Sequence, residues 1–293
     1  MSFLTPLFPA LFVLLWSTGF IGARYAMPYA EPFTFLTMRY LAAIALLWPL
    51  VALMRAPWPD RRSALHAAIA GSLIHGVYLG GVFLSVRNGL PAGIAALVVG
   101  LQPVLAAILS ARFLGETILP RHWLGLALGL AGVALVVVPN IGGASGAYRL
   151  DTLGPVFLSA IGIAAGTVWQ KRFVSAVDLR SGTLVQYVGA LILTAPFAFA
   201  FETMRVEWTG ELIFALVWLT LVLSLGAVFL LLFLLREGAV SKVSSLMYLT
   251  PGTTAVMAFL LFGERLDAVQ LAGLALAGIG VAAAMRAPRP RGA

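Results

Sequence analysis

Long apolar runs without charge dominate this chain and limit what it can fold into. Val217–Leu235 contains no charged side chain, and Leu101–Ala111 contains one strongly polar residue, Gln102. A run of roughly 18 or more apolar residues has the length of a membrane-spanning helix. Only 10% of the 293 residues are charged and 61% are hydrophobic, whereas about 25% are charged in a typical soluble domain. These features predict an all-α integral membrane protein.

Clusters of charge, proline and glycine divide the apolar sequence into spans. We predict ten transmembrane helices with approximate bounds 5–24, 33–54, 64–86, 91–113, 121–138, 152–173, 182–201, 212–235, 241–262 and 267–285. The first is interpreted as a span rather than a cleaved signal peptide, because no basic segment precedes it. The linker 139–151 is rich in Gly, Ser and Asn and separates a first half, 1–138, from a second half, 152–285, which a cytoplasmic tail, 286–293, follows.

The distribution of basic residues predicts the orientation of these spans. With ten spans, five basic residues fall on one side of the membrane: Arg24, Arg87, Arg149, Arg205 and Arg265. Arg39 lies within a span, and the remaining thirteen Lys and Arg residues fall on the other side. Because cytoplasmic loops are enriched in Lys and Arg, both termini are predicted to be cytoplasmic. The scattered basic residues also argue against a nucleic-acid-binding surface, despite the net charge of +8.

An internal repeat relates the two halves. When the chain is shifted by 148 residues, Leu101–Ala134 aligns without gaps, with 12 identities in 34 positions. The matches include Pro103 with Pro251 and Gly115-Glu116 with Gly263-Glu264. Each half holds five predicted spans, an odd number, so the second must cross the membrane in the opposite direction. Inverted repeats are typical of secondary transporters, whose substrate site lies near the midplane between the halves.

These features together resemble those of a known family. The ten spans, Trp16 followed by small residues, Arg39 in span 2 and the two Pro…Gly-Glu patterns make the chain similar to the EamA type of the drug/metabolite transporter (DMT) superfamily. The resemblance implies small-molecule transport through a central cavity lined by spans 1–4 and 6–9, with spans 5 and 10 at the periphery. The aromatic content is similar to that of YddG-type bacterial amino-acid exporters, which implies export of amino acids.

Polar and aromatic side chains deep in the predicted spans are the candidates for substrate contact, because a polar group in hydrocarbon is costly unless it faces protein or a wet cavity. We predict a substrate site formed by Trp16, His75, Tyr78, Gln102, Trp169, Ser244 and Tyr248. Pro103 and Pro251 each remove one backbone donor from their helices, so they are predicted kinks or hinges. For these side chains, packing between helices is the alternative role.

Three charged residues near the span ends allow different interpretations. Arg39 could bind a substrate carboxylate, pair with Glu31 or snorkel to the outer surface. We favour snorkelling, because Arg39 is only about two turns from the end of its span. Glu116 and Glu264 are expected to pair with neighbouring arginines or to cap helices.

Other functional classes lack their sequence signatures. An intramembrane enzyme would need paired aspartates, an H-E-x-x-H motif or a Ser/His/Asp set, and no carboxylate lies deep in any predicted span. A channel would be lined by charged rings or a carbonyl filter, and an assembly scaffold would not need polar groups at matched depths. Because cysteine is absent, no thiolate metal site is expected, and no metal or cofactor is predicted.

The sequence therefore predicts a secondary transporter, not an enzyme, for small neutral or zwitterionic metabolites, in the first place amino acids including aromatic ones. A carrier of drugs, nucleotide sugars or other metabolites is the alternative. We expect a multi-pass protein of the bacterial inner membrane that meets a small-molecule substrate and the lipid bilayer. A monomer is expected to suffice for transport, and a weak homodimer remains open. Since His75 is the plausible titrating group in the spans, we expect facilitated transport, exchange or at most histidine-linked proton coupling.

Overall fold

A computed structural model describes residues 8–140, 149–227 and 249–285 of the chain. Their helices, numbered here in chain order, are α1 Phe8–Ala26, α2 Pro32–Leu53, α3 Arg61–Arg87, α4 Ala92–Leu114, α5 Pro120–Val137, α6 Leu150–Phe173, α7 Leu179–Phe201, α8 Gly210–Val217 with its continuation Trp218–Ala227, α9 Thr250–Phe262 and α10 Ala268–Met285. Within these ranges the helices account for almost all regular structure, and one isolated β-bridge joins Ala30 to Val206. The predicted all-α class is confirmed.

The helices fit a membrane in length and composition. Each of α2 to α7 is long and apolar enough to cross a membrane, whereas the described parts of α8, α9 and α10 are apolar but shorter. Wherever a predicted bound falls on a described residue, the helix begins or ends within three residues of it. Residues 228–248, with the predicted end of span 8 and start of span 9, lie outside the described residues. The number of ten spans therefore remains a prediction.

Three helices depart from regular α-geometry. The middle of α3, Ser72–Val77, is π-helical, and so is Trp218–Ala227 in α8. π-helical turns bond each amide one residue further back than an α-helix does, and they occur often at functional sites. α4 is interrupted between its segments Ala92–Val99 and Gln102–Leu114. The irregularities of α3 and α4 lie in the middle of apolar helices, at the depth where a transport site is expected.

Glycines make the closest contacts between helices. A Cβ atom added at Gly132 of α5 would lie 2.5 Å from the carbonyl oxygen of Gly273 in α10, and one added at Gly280 would lie 2.8 Å from the carbonyl oxygen of Gly125. The two backbones therefore touch, which only small residues permit. Between helices in lipid, such close packing replaces the hydrophobic driving force that operates in water.

The remaining helices interleave the two halves of the sequence. α1 packs against α8 and α9, α2 against α7 and α8, and α4 against α6 and α9. α3 lies between α6 and α7, so closely that a Cβ atom at Gly81 would be 2.2 Å from the carbonyl oxygen of Pro155. The buried core that results has Tyr40, Phe35 and Phe83 as its largest fully buried side chains.

One end of the bundle gathers the α1–α2, α3–α4, α7–α8 and α9–α10 connections. The first and third of these form the isolated β-bridge. Arg87, which ends α3, donates to the carbonyl of Met27. Arg24 Nε lies 3.2 Å from Glu264 Oε1 and so joins α1 to the α9–α10 connection. Glu264 thus pairs with an arginine of the other half rather than with a neighbouring one. Its Oε2 also accepts from the Ala92 amide at 3.1 Å and so caps the start of α4, as the alternative expectation held.

The opposite end gathers the α2–α3, α4–α5 and α6–α7 connections. The Ser181 hydroxyl, at the start of α7, donates to the Pro57 carbonyl at 2.6 Å. Lys171, near the end of α6, forms an ion pair with Glu116 of the α4–α5 connection. This also corrects the expected pairing of Glu116 with an adjacent arginine. Both glutamates, Glu116 and Glu264, pair with a residue of the other half of the sequence, and distance along the chain does not predict such partners.

Candidate functional site

A cavity of about 760 Å³ lies among α1, α4, α6, α9 and α10. Its wall is mostly apolar, and Trp16, Gln102, Thr250 and Thr253 bring polar atoms to it. No charged residue is among the described residues that line it. Sites for small ligands are typically clefts of about 300–1,000 Å³ with an apolar wall and a few polar groups. The cavity therefore has the size and the surface of a site for a small molecule.

Two helix beginnings meet at this cavity. The second segment of α4 starts at Gln102 with Pro103 in its first turn, and α9 starts at Thr250 with Pro251 in its first turn. All four residues line the cavity. Proline lacks an amide N–H, so each proline frees a backbone carbonyl of the preceding turn from its usual partner. The fold thus unites the two polar–proline pairs that the 148-residue offset relates.

The polar groups at these helix beginnings keep hydrogen-bonding capacity. The Thr250 hydroxyl has no hydrogen-bond partner among the described residues, although the residue is only 6% exposed. The Gln102 amide donates to the Thr167 hydroxyl at 3.5 Å, which is long for a hydrogen bond. A buried hydroxyl without a partner costs about 1–3 kcal/mol. A solute in the cavity would meet the Gln102 amide, and it would reach the buried Thr250 hydroxyl once the helices around that side chain move.

α10 packs mainly on α5, as the peripheral position of spans 5 and 10 implies, but one of its faces also forms part of the cavity wall. Leu274, Gly278 and Val281 of α10 line the cavity, while α5 contributes no lining residue from the part of the chain described. α10 also packs against α4 and α9. The glycine contacts press one face of α10 onto α5, so its other face borders the space between α4 and α9.

His75 and Tyr78 lie in a separate group, here called the aromatic cluster: Tyr40, His75, Tyr78 and Tyr187. The His75 ring lies 4.8 Å from the Tyr187 ring, and Tyr40 stacks on Tyr187 at 5.8 Å between centroids. The Tyr40 hydroxyl donates to the His75 carbonyl in the π-helical segment at 2.7 Å. None of the four lines the cavity. The structure therefore divides the predicted site residues between two places.

Arg39 adjoins the aromatic cluster and is buried, with 3% of its surface exposed. Its Nη2 donates to the Ser224 hydroxyl of α8 at 3.1 Å. The favoured expectation, snorkelling to the outer surface, is wrong, because α7 and α8 pack over this face of α2. The pairing with Glu31 is not formed either, since that carboxylate accepts hydrogen bonds from Thr203.

Trp169 lies away from the cavity. Its ring contacts His66 and Phe173, with centroids 5.6 and 4.7 Å apart, where the end of α6 meets the start of α3. Ser244 and Tyr248 lie outside the described residues. Of the predicted substrate contacts in the described part of the chain, the cavity is lined by Trp16 and Gln102.

The described carboxylates lie at helix ends rather than at the cavity. Asp178 precedes α7, and its side chain accepts from the Arg180 amide at 2.9 Å and from Arg180 Nη2 at 2.8 Å. Hydrogen bonding by the Arg180 side chain holds the pKa of Asp178 below its ordinary value. Among the described residues, no group of three His, Asp or Glu side chains is arranged to hold a metal ion.

Several residues at these places escaped the sequence reasoning. Tyr187 stands 148 positions after Arg39, so the repeat offset could have singled it out. Thr253 follows Thr250 at a helical spacing that puts both on one face. Nothing in the local sequence marks Ser224, because its contact with Arg39 depends on α8 packing against α2.

Curated proteins of similar length match almost the whole chain. "Uncharacterized transporter YvbV" of Bacillus subtilis (strain 168) is 30% identical over 277 residues, which cover 93% of this chain and 88% of that protein. "Uncharacterized inner membrane transporter YedA" of Escherichia coli (strain K12) is 27% identical over 269 residues, with coverage of 91% and 86%. "Probable amino-acid metabolite efflux pump" of Escherichia coli (strain K12) is 23% identical over 279 residues, with coverage of 91% and 89%.

The fold and the family agree with these relatives. A solved crystal structure with 21% sequence identity covers 95% of each chain at a TM-score of 0.62, which shows a shared fold. The sequence profile of the EamA-like transporter family matches residues 5–138 and 153–286. The relatives above bear the names of transporters or of an efflux pump, and none bears the name of an enzyme. The chain is therefore a transporter, not an enzyme, and belongs to the EamA-like transporter family.

Proposed function

We propose that this protein is a secondary transporter of small neutral or zwitterionic metabolites, amino acids in particular. It works by alternating access between two inverted five-helix halves, 1–138 and 152–285, joined by the linker 139–151. The observation that carries the proposal is the cavity where Gln102-Pro103 and Thr250-Pro251 meet. In transporters built from inverted repeats, interrupted helices near the bilayer midplane form the substrate site.

The contacts between α5 and α10 support the inverted halves. Gly132 meets Gly273, which lies 148 residues after Gly125. Gly280, which lies 148 residues after Gly132, meets Gly125. Exchanging the halves turns one contact into the other, as a two-fold axis between them requires.

Backbone irregularities at the same offset support the repeat as well. A shift of 148 residues carries Ser72–Val77 to 220–225, inside the π-helical Trp218–Ala227. Gly115 and Gly263, also 148 apart, have φ of 72° and 67° where they end helices of 13 residues each. This left-handed conformation favours glycine because a Cβ atom would clash. Local geometry of this kind does not depend on the abundance of Leu and Ala.

The two ends of the bundle support the alternation of spans. The α1–α2, α3–α4, α7–α8 and α9–α10 connections contact one another at one end, as ten alternating spans require. We place this end outside and both termini in the cytoplasm, because most Lys and Arg residues fall at the other end. The name of the Escherichia coli relative supports the inner membrane.

The surface of the cavity supports the substrate class. The apolar wall suits a hydrocarbon or aromatic side chain, and Gln102, Thr250 and Thr253 offer hydrogen bonds. The name of the relative that exports amino-acid metabolites supports both the class and the outward direction. We expect a monomer to suffice for transport.

Counterflow into proteoliposomes tests this function. Liposomes preloaded with an unlabelled amino acid should accumulate the labelled one transiently, without any pH gradient. A panel of neutral, aromatic and charged amino acids, sugar phosphates and polycations defines the class. A strong preference for sugar phosphates or polycations would refute the amino-acid assignment. Strict dependence on a pH gradient, undiminished in His75→Gln, would refute facilitated transport or exchange.

A further inference from the structure

Arg39 holds a positive charge inside the bundle. It lies about two turns into α2 and is 3% exposed. A cation at membrane depth is costly and is retained where it meets an anion, a water-filled path or several carbonyl groups. The identity of its partner therefore bears on what the protein does.

The guanidinium group of Arg39 is incompletely paired. Nη2 donates to the Ser224 hydroxyl at 3.1 Å, and that hydroxyl itself donates to the Leu219 carbonyl at 3.0 Å. Nε is buried and has no hydrogen-bond partner among the described residues. An arginine fork offers five N–H donors in a plane that matches the two oxygens of a carboxylate. A neutral hydroxyl at one corner leaves the charge and most of the fork uncompensated.

The ion pairs formed by the described residues do not include Arg39. They are Arg24–Glu264, Arg149–Asp151, Lys171–Glu116 and Arg180–Asp178. Glu31, which precedes α2, accepts hydrogen bonds from Thr203. Glu202, which follows α7, accepts hydrogen bonds from the backbone at the start of α2. Among the described residues, no carboxylate therefore lies within ion-pair distance of the Arg39 guanidinium.

The surroundings of Arg39 suit an apolar or aromatic carboxylate. Arg39 lies next to Tyr40 in α2, and Tyr40 stacks on Tyr187. The His75 ring lies 4.8 Å from the Tyr187 ring. The tyrosines are uncharged at neutral pH and offer ring faces to an apolar group. The π-helical segments of α3 and α8 carry His75 and Ser224 to this place, and such segments recur at functional sites.

We propose that Arg39 and the aromatic cluster form a second station of the transport path, apart from the cavity, where Arg39 binds the carboxylate of the solute and the aromatic cluster holds its apolar part. The substrate class is then a neutral amino acid or another apolar monocarboxylate. The inference rests on the proposed function, because a solute reaches Arg39 only when α2 and α8 separate, as alternating access requires. Ser224 holds the guanidinium while the two helices are in contact.

A pair of variants at Ser224 tests whether Arg39 lacks an anionic partner, while Arg39 itself stays in place. Ser224→Asp supplies a carboxylate, and Ser224→Asn has nearly the same shape without charge. In purified full-length protein, Ser224→Asp should unfold about 3–6 °C above Ser224→Asn. The difference should vanish when each is combined with Arg39→Gln. Equal midpoints in the two single variants would overturn the proposal.

Binding probes test the carboxylate directly. Phenylalanine and 3-phenylpropionate should bind the wild-type protein roughly tenfold more tightly than phenylalanine amide does. Ser224→Asn should keep this preference, and Ser224→Asp and Arg39→Gln should lose it. Should Arg39→Gln fail to fold, Ser224→Asp decides alone. A preference that persists in Ser224→Asp overturns the proposal, as does equal competition by inorganic phosphate or by phosphatidylglycerol vesicles.

Transport assays distinguish a failure of this inference from a failure of the proposed function. Arg39→Gln should lower phenylalanine counterflow at least tenfold and leave exchange of phenylalanine amide nearly unchanged. Equal loss of both would assign Arg39 a structural role and overturn the inference. If the wild-type protein exchanges no amino acid, the proposed function fails, and the Ser224 variants still decide whether Arg39 lacks an anion.

Discussion

Thr250 and Thr254 lie one helical turn apart in α9, and neither hydroxyl has a hydrogen-bond partner among the described residues. Thr250 lines the cavity, whereas Thr254 is fully buried and does not. An unpaired buried hydroxyl lowers stability. At Thr250 that cost is consistent with a contact to the solute, and at Thr254 we have no physical account of it.

Substitution by valine, which keeps the shape of threonine, separates these roles. We expect Thr250→Val to leave thermal stability unchanged or raise it by about 1 kcal/mol, because an unpaired hydroxyl is removed. Its counterflow should fall roughly tenfold through loss of a hydrogen bond to the solute. Thr254→Val is the matched control, with the same effect on stability and full transport. Wild-type transport by both variants would show that Thr250 does not touch the solute.

At the scale of the helix, the contact between α5 and α10 depends on where each glycine points. Gly273 and Gly278 both lie in α10, but a Cβ atom at Gly273 would be 2.6 Å from the Gly132 carbonyl oxygen, whereas one at Gly278 would meet nothing within 4 Å. The sequence alone does not show which of the two glycines contacts α5. Packing alone distinguishes them.

Alanine at these two positions should have opposite effects. Gly273→Ala should lower the free energy of unfolding by about 1–3 kcal/mol, because the helices must move apart. Gly278→Ala should leave it unchanged or raise it by about 0.5–1 kcal/mol through helix propensity. Thermal unfolding in detergent measures both. Equal destabilisation would contradict the backbone contact.

The Asp178–Arg180 pair at the start of α7 predicts that the stability of the protein depends on pH. Arg180 lowers the pKa of Asp178 in the folded state. The contribution of Asp178 to the free energy of unfolding is therefore fully present above its unfolded pKa of about 3.9. It is lost as the pH falls through the lower, folded pKa. Asp178→Ala should cost about 1 kcal/mol at pH 7, and the difference should shrink below about pH 4. Asp151→Ala, at an exposed pair, should change little. A difference independent of pH would argue against the charged pair.

For the whole molecule, sidedness is the first property to test. The chain contains no cysteine, so single cysteines report without background. Glu207→Cys should react with a membrane-impermeant maleimide in intact spheroplasts, because it lies at the end placed outside. Arg62→Cys should react only after the membrane is permeabilised. The reverse pattern would invert the proposed orientation.

Ion pairs at the two ends suggest how the halves are held. Glu116 and Glu264 are 148 residues apart, and they pair with Lys171 and Arg24 of the opposite half. In a Thr253→Cys background, Glu264→Gln should speed maleimide labelling of the cavity from outside two- to fivefold, and Glu116→Gln should slow it. The expected change in labelling rate follows from the ion pair, which stabilises one conformation over the other by about 0.5–1 kcal/mol. Equal labelling in both variants would exclude a gating role.

The sequence by itself determined the described helices and their bounds, because the cost of exposing backbone and charge to lipid is set by local composition. The repeat offset likewise marked Gln102-Pro103 and Thr250-Pro251, which meet at the cavity. Only the tertiary structure decided that Arg39 is buried against Ser224, that His75 lies apart from the cavity and that α10 lines it. In a chain where almost every residue is apolar, hydropathy does not specify which face of a helix meets which neighbour. Glycine contacts and π-helical turns set those faces, and their effect depends on partners more than a hundred residues away.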